Sequence, residues 1–146
     1  MIFVIFQFLF LITLAIPWFG LPDFARFWPL TTLSAVMAFA ALALFVWSLM
    51  HNTARNIGVS PVPPRQHHLV ETGPYRFIRH PMYLAALLFG FAALLFYVEL
   101  WRLILYIGLS VTLHLKADYE ERLLVQRYPE YTDYQKRTKR IVPFIL

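Results

Sequence analysis

"MYLAALLFGFAALLFYVELWRLILYIGLSVTLHLKA", Met82 to Ala117, consists of two apolar runs parted by the charged neighbourhood of Glu99 and Arg102. So short a break between two long apolar segments predicts a helix-helix connection, with the arms packed antiparallel as a hairpin. A buried or re-entrant pair is the alternative, but hydrophobicity on both sides of the break favours two membrane crossings. The second arm is short in strictly apolar terms. It can tilt less, let Arg102 snorkel to the headgroups, or run on past His114 as an amphipathic continuation.

Upstream, "LTTLSAVMAFAALALFVWSLM", Leu30 to Met50, reaches the roughly 20 residues that span a bilayer. The opening "MIFVIFQFLFLITLAIPWFGLP" lacks the basic start and small-residue cleavage site of a signal peptide, so a retained helix is expected from about Ile2 to Phe19. Pro17 and Pro22 would mark its exit and Trp18 the interface. The expected fold is therefore all-α and integral to the membrane, with four transmembrane helices, a C-terminal helix hairpin and a cytoplasmic amphipathic tail. Residues 1–50 form an N-terminal helix pair and residues 51–146 a linker, hairpin and tail, in one continuous domain.

Composition agrees: 60% of the 146 residues are hydrophobic and only 14% charged, far from the surface a soluble domain needs. Cysteine is absent, which excludes disulfides, thiolate nucleophiles and cysteine-based metal sites. The net charge of +5 points to anionic lipid headgroups rather than nucleic acid, because the basic residues adjoin apolar segments and no nucleic-acid module accompanies them. The linker sets Arg55, Arg65, Arg76 and Arg79 against Glu71 alone, and the tail from Lys116 is also basic on balance. With four crossings, N-terminus, linker and tail share one face, and the positive-inside bias makes it cytoplasmic, in the inner membrane of a cell. Any polar chemistry has to be built where linker and tail meet. The linker's Pro61, Pro63 and Pro64 favour extended, polyproline-like backbone.

Two stretches stand out there. In "ETGPYRFIRHPMY", Glu71 to Tyr83, a Gly-Pro turn leads to Arg79, His80 and Pro81 at a helix start, where Pro81 fits the first turn. Taken alone, Arg79 and His80 read as interfacial anchors and Tyr83 as part of an aromatic belt. In the tail, Lys116 with Glu120 and Asp118 with Arg122 have the spacing of exposed helix pairs, whereas Glu121 falls with Ala117 and Val125 on the apolar side and needs a partner. Tyr128, Tyr131 and Tyr134 precede a basic cluster ending at Arg140, which taken alone reads as a membrane-surface segment. Together these residues suit a ligand with charged and aromatic parts: arginines for a carboxylate, Glu120 or Glu121 for hydroxyls or an amino group, aromatic rings for a flat base or a sulfonium. His51, His67, His68 and His114 are too scattered for a metal site.

"GPYRFIRHPMY", Gly73 to Tyr83, and "EERLLVQRYPEYTDYQKRTKRIVP", Glu120 to Pro143, resemble the integral-membrane isoprenylcysteine carboxyl methyltransferase and phospholipid methyltransferase superfamily. The resemblance covers the C-terminal half to two-thirds of the chain, hairpin included. It implies S-adenosyl-L-methionine as cofactor in a cytoplasm-facing pocket, and a lipid or prenylated small-molecule substrate entering from the bilayer. Carried over residue by residue, it assigns Tyr75, Arg79, His80, Pro81, Tyr83, Glu120, Glu121, Tyr131 and Tyr134 to the cofactor, with Leu124 and Pro143 also matching. Arg140 and Glu121 become the catalytic candidates and no metal is implied. Two positions depart from the family pattern: Ala85 stands where glycine is common, and Tyr128-Pro129 replaces Phe-Gly.

The expected reaction is direct methyl transfer to a carboxylate or amine of a membrane-embedded substrate, as in isoprenylcysteine carboxyl O-methylation, with phospholipid N-methylation as the alternative. A carboxylate acceptor needs no base, and Arg140 would orient it. An amine must first lose a proton, which makes Glu121 or His80 the candidate base. A non-catalytic membrane scaffold is the rival class, while a transporter subunit is disfavoured by the few polar groups in the apolar segments.

Overall fold

The computed structural model describes residues 2–17, 28–52, 69–97 and 99–142. Trp18, Pro22, the linker prolines, His67, His68 and Pro143 lie outside the described residues. Among the described residues, five α-helices form: α1 Ile2–Ala15, α2 Trp28–His51, α3 Pro81–Tyr97, α4 Trp101–Arg127 and α5 Tyr131–Arg137, with a 3-10 turn at Gly73–Arg76 before α3. Among the described residues, the sole extended pairing is a parallel bridge between Ile78 and Lys139.

The four long helices alternate in direction. The Ser34 hydroxyl, near the start of α2, donates to the Ala92 carbonyl late in α3 at 2.7 Å, while at the other end of α2 the Asn52 amide meets the Tyr75 hydroxyl at 3.3 Å. Phe3 at the start of α1 packs on Tyr119 late in α4, and the last turn of α1 meets Arg102 at the start of α4. The start of α1, the end of α2, the start of α3 and the polar part of α4 thus gather at one end, where α5 also sits. α2 packs chiefly on α3 and α4 chiefly on α1, so the α3–α4 hairpin, although present, is not the main contact of either arm. Leu14, Leu87, Leu109, Leu113 and Ala117 form the core, closed at the polar end by Tyr83 and Ile141.

The outer faces are apolar. Ile104, Ile107, Val111 and Leu115 make an exposed stripe at helical spacing on α4, and Ile5, Phe8 and Ile12 on α1 and Phe39 and Leu42 on α2 do the same. Aqueous proteins rarely leave apolar surface on this scale uncovered. By length and composition, one helix among the described residues, Pro29–His51, is long and apolar enough to cross a membrane. α1 and α3 are apolar but shorter, at 14 and 17 residues, so four crossings do not follow from helix length alone. α4 has 27 residues, about 40 Å of helix. Its first half is apolar, and it continues without interruption past His114 into the polar end. Of the three options open for the second hairpin arm, continuation is therefore the one realised.

Arg102 does not snorkel. It is fully buried, with Nε donating to Glu99 Oε2 at 2.5 Å and the remaining guanidinium nitrogens turned to carbonyls at the end of α1. An arginine so near the helix ends finds three orphan carbonyls and a carboxylate within reach, a better environment than a partial return to headgroups.

Candidate functional site

The motif residues are brought together by backbone pairing. Arg79 N–H donates to the Lys139 carbonyl at 2.8 Å, His80 N–H to the Arg140 carbonyl at 3.0 Å, and Lys139 N–H to the Phe77 carbonyl at 3.0 Å. The segment entering α3 therefore runs alongside the segment leaving α5. Pro81 then opens α3 and is itself buried, and the missing N–H is no loss in a first helical turn.

Glu121 is the hub of this arrangement. Its Oε1 accepts from Arg79 Nε at 2.7 Å and from His80 Nε2 at 3.2 Å. Its Oε2 accepts from Gln135 Nε2 and from Arg140 Nη2, both at 3.1 Å. Four donors occupy the four lone-pair directions of a carboxylate that is 4% exposed. The apolar-side position of Glu121 did call for a partner, and it has several. Burial pushes this carboxyl upward, but hydrogen bonds and charge from His80 and Arg79 outweigh it and bring it down to about 2.

Glu120 departs from expectation. Adjacent helix positions diverge by about 100°, and its i,i+4 spacing to Lys116 alone gives Glu120 a solvent-side reading. It turns inward instead: it accepts from the Tyr83 hydroxyl at 2.5 Å and lies 3.8 Å from His80 Nδ1. One imidazole stands between the two carboxylates, with a nitrogen towards each, and Tyr83 stacks on that ring at 4.9 Å. Lys116 is 4.0 Å from Glu120, as the i,i+4 spacing anticipates, but it is buried rather than exposed and reaches Gln7 of α1 at 3.1 Å. Asp118 pairs with Arg140 at 2.6 Å and not with Arg122.

The tyrosines form the wall between the two segments. Tyr131 and Tyr134 are buried and meet edge to face at 5.6 Å, and the Tyr134 hydroxyl donates to the Tyr75 carbonyl at 2.6 Å. Burial raises both phenols, with the Glu121 charge adding to Tyr131 and the Glu71 charge to Tyr134. The Tyr75 hydroxyl is pushed up to about 12 by burial, against the opposing bond from Asn52. All nine residues assigned to the cofactor, together with Arg140, thus lie at one end of the helix stack.

Four participants were not singled out from sequence. Gln135 completes Glu121, the Thr138 carbonyl accepts from Arg79 Nη1 at 2.5 Å, Asp118 holds Arg140, and Gln7 ties α1 to the cluster through Lys116. Asp118 had a readable signal, since it precedes Glu121 by three residues and so shares its face of α4.

Gly73 sets the entry to the site. Its φ is +59°, and a Cβ there would fall 2.4 Å from the His51 ring. Gly73→Ala should therefore cost about 1–2 kcal/mol from the left-handed backbone alone, seen as a lower thermal midpoint, with the displaced His51 ring adding to it.

Residues 30–131 match the family profile described as phospholipid methyltransferase. The chain belongs to the phospholipid methyltransferase family. This places it in the integral-membrane superfamily that its two motifs resemble. The match takes in the Arg79-His80 segment, the hairpin, both glutamates and Tyr131, while Gln135, Thr138 and Arg140 lie beyond it. A comparison with curated proteins gives no match.

Proposed function

We propose that this phospholipid methyltransferase family member is an integral-membrane enzyme that transfers a methyl group from S-adenosyl-L-methionine to the headgroup amine of a membrane lipid. The observation that carries the reading is the closed set of contacts around Glu121, which holds Arg79, His80 and Arg140 in fixed relation at the end of a lipid-compatible helix stack. The family favours an amine over the prenylated carboxylate. In this reading α1, α2, α3 and the first half of α4 all cross the bilayer, with the apolar outer stripes against lipid. The basic excess of linker and tail supports a site on the cytoplasmic face, in this reading that of the inner membrane.

The donor set fits the cofactor's chemistry. Arg140, whose side chain is 32% exposed, is the cation best placed to take a carboxylate from outside, since Arg79 is turned inward to Glu121 and Thr138. Glu120 retains acceptor capacity for an amino group or ribose hydroxyls, and the Tyr83, Tyr131 and Tyr134 rings supply flat apolar walls. When bound, S-adenosyl-L-methionine supplies an electrophilic methyl on a sulfonium sulfur. The protein's own part is orientation and exclusion of water, which needs side chains that do not move. Glu121 does this for Arg140 and His80. With both oxygens saturated it is a positioning residue, poorly suited to take a proton.

Calorimetric titration of S-adenosyl-L-methionine and S-adenosyl-homocysteine into the chain in nanodiscs tests the reading. Arg140→Ala should weaken binding by roughly tenfold to a hundredfold, the loss of one charge-assisted hydrogen bond. Labelled-methyl transfer should then appear in ethanolamine lipids and not in prenylcysteine. A folded parent that binds neither compound would fit a non-catalytic membrane scaffold and end the proposal.

A further inference from the structure

His114 lies on α4 seven residues before Glu121, so the two share a helix face, with His114 on the apolar side of the ionic cluster. It lines a cavity of about 230 Å³ with Arg79, Arg140, Ile141 and Val142. Its Nδ1 is 2.8 Å from the Ser110 carbonyl one turn back. A carbonyl only accepts, so Nδ1 carries the hydrogen of that bond, and in the neutral ring the lone pair is on Nε2. The other lining side chains cannot accept: guanidinium groups only donate, and Ile141 and Val142 do neither. Among the described lining side chains, His114 is thus the one able to receive a proton. The cavity is also small beside the roughly 300–1,000 Å³ of a typical small-molecule site, the size for a headgroup fragment rather than a whole nucleoside.

Resting on the methyl-transfer reading above, we propose that His114 is the proton acceptor for the lipid amine. A protonated amine has no lone pair to attack with. In the cavity its N–H bond breaks, the electron pair stays on the amine nitrogen, and the proton binds Nε2, giving a neutral amine and an imidazolium. Glu121 is not available for this step, because four donors already fill it. His80 is committed to the two carboxylates on either side.

His114→Gln keeps a polar side chain of similar reach but cannot take up a proton. The charged and titratable groups of the cluster beside His114 are Arg79 and Arg140 in the cavity wall, Lys116, Asp118, Glu120 and Glu121 on α4, Tyr83 on α3, and Tyr131 and Tyr134 on α5, while α1 carries none. The experiment uses the full chain in nanodiscs of ethanolamine or choline lipid. With ethanolamine lipid, His114→Gln should bind S-adenosyl-homocysteine as the parent does, but transfer methyl about a hundredfold more slowly. Its rate should also rise steadily with pH instead of levelling off. In the parent with ¹⁵N-labelled histidine, the Nε2 resonance should move with ethanolamine lipid and not with choline lipid, whose quaternary nitrogen has no hydrogen to give. Parent-like transfer and pH profile in the variant would overturn the proposal, as would methylation of carboxylates but not amines by the parent. The resonance arm needs no methyl donor. If the parent fails to bind the homocysteine compound, the methyl-transfer reading falls, and an Nε2 signal equal in the two lipids still overturns the role of His114 separately.

Discussion

Glu121→Gln should abolish methyl transfer and unfold the protein at a markedly lower temperature, although the two side chains are almost the same shape. Of the four donors around the carboxylate, two face Oε1 and two face Oε2. An amide replaces one oxygen by an NH₂ group, so on one side donors confront donors. Arg79, with a side chain 10% exposed, also loses its anionic partner. Removing one member of a buried ion pair costs roughly 3–5 kcal/mol, and the variant should show a loss of that size in thermal or denaturant unfolding. Asp118→Asn is the contrast. Asp118 is 43% exposed and pairs with Arg140, so about 0–1 kcal/mol is expected. Equal stability and turnover in Glu121→Gln and the parent would show that the cluster is not what holds the site.

The same carboxylate sets an acid limit. Its folded pKa of about 2 lies below the ordinary 4.5, so the unfolded chain binds the proton more readily. The stability Glu121 contributes is complete above pH 4.5 and is lost as the pH falls from there towards 2. The unfolding midpoint of the parent should drop across that window, and Glu121→Gln should flatten the drop. An identical slope in the two proteins would assign the acid sensitivity to other groups.

What could be read in the sequence is what local chemistry determines. The apolar runs and the break at Glu99 to Arg102 define the hairpin, and a carboxylate on the apolar face of α4 requires a cation, which the structure supplies in Arg79. Which partner each charge chooses is another matter. Asp118 and Arg122 have good spacing on one helix, yet Arg140 wins Asp118 because the bridge between Ile78 and Lys139 delivers its backbone to that place. Glu120 points inward because His80 offers a nitrogen on each edge, so carboxylates diverging around the helix still meet one ring. Gln135 and the Thr138 carbonyl could not be anticipated at all, since their role depends on where α5 docks. Helix length set the other limit: composition marks α1 and α3 as apolar, but the end of the 14-residue α1 is held by Tyr97 and Arg102, which lie far away in sequence.

Arg102→Met should destabilise the protein by roughly 3–5 kcal/mol while leaving cofactor affinity unchanged wherever the protein is still folded, because Arg102 works at the end of the stack away from the site. α1 stops just before Pro17, which has no N–H with which to close the helix, so its last carbonyls need donors from elsewhere. Arg102 provides them, to Thr13 at 3.5 Å, to Leu14, and to Ile16 at 2.8 Å. The Tyr97 hydroxyl covers the remaining carbonyl, Ala15, at 2.9 Å. The guanidinium is held in turn by Glu99 and by the Tyr97 ring, whose centroid lies 3.9 Å from its central carbon. Methionine fills similar volume but leaves these carbonyls and Glu99 without their cation. Arg102→Lys keeps the charge and loses the planar fork, so it should recover only part of the loss. Thermal unfolding of the three proteins in one detergent, with S-adenosyl-homocysteine titrated below the lowest midpoint, separates the two effects. An unchanged midpoint in Arg102→Met would mean that α1 holds its place through the apolar contacts of Phe10, Leu11 and Leu14 alone. A lowered midpoint with intact affinity would make this arginine the fastening of α1 to the hairpin, and would explain why a charged residue is kept at the point where two apolar helices turn.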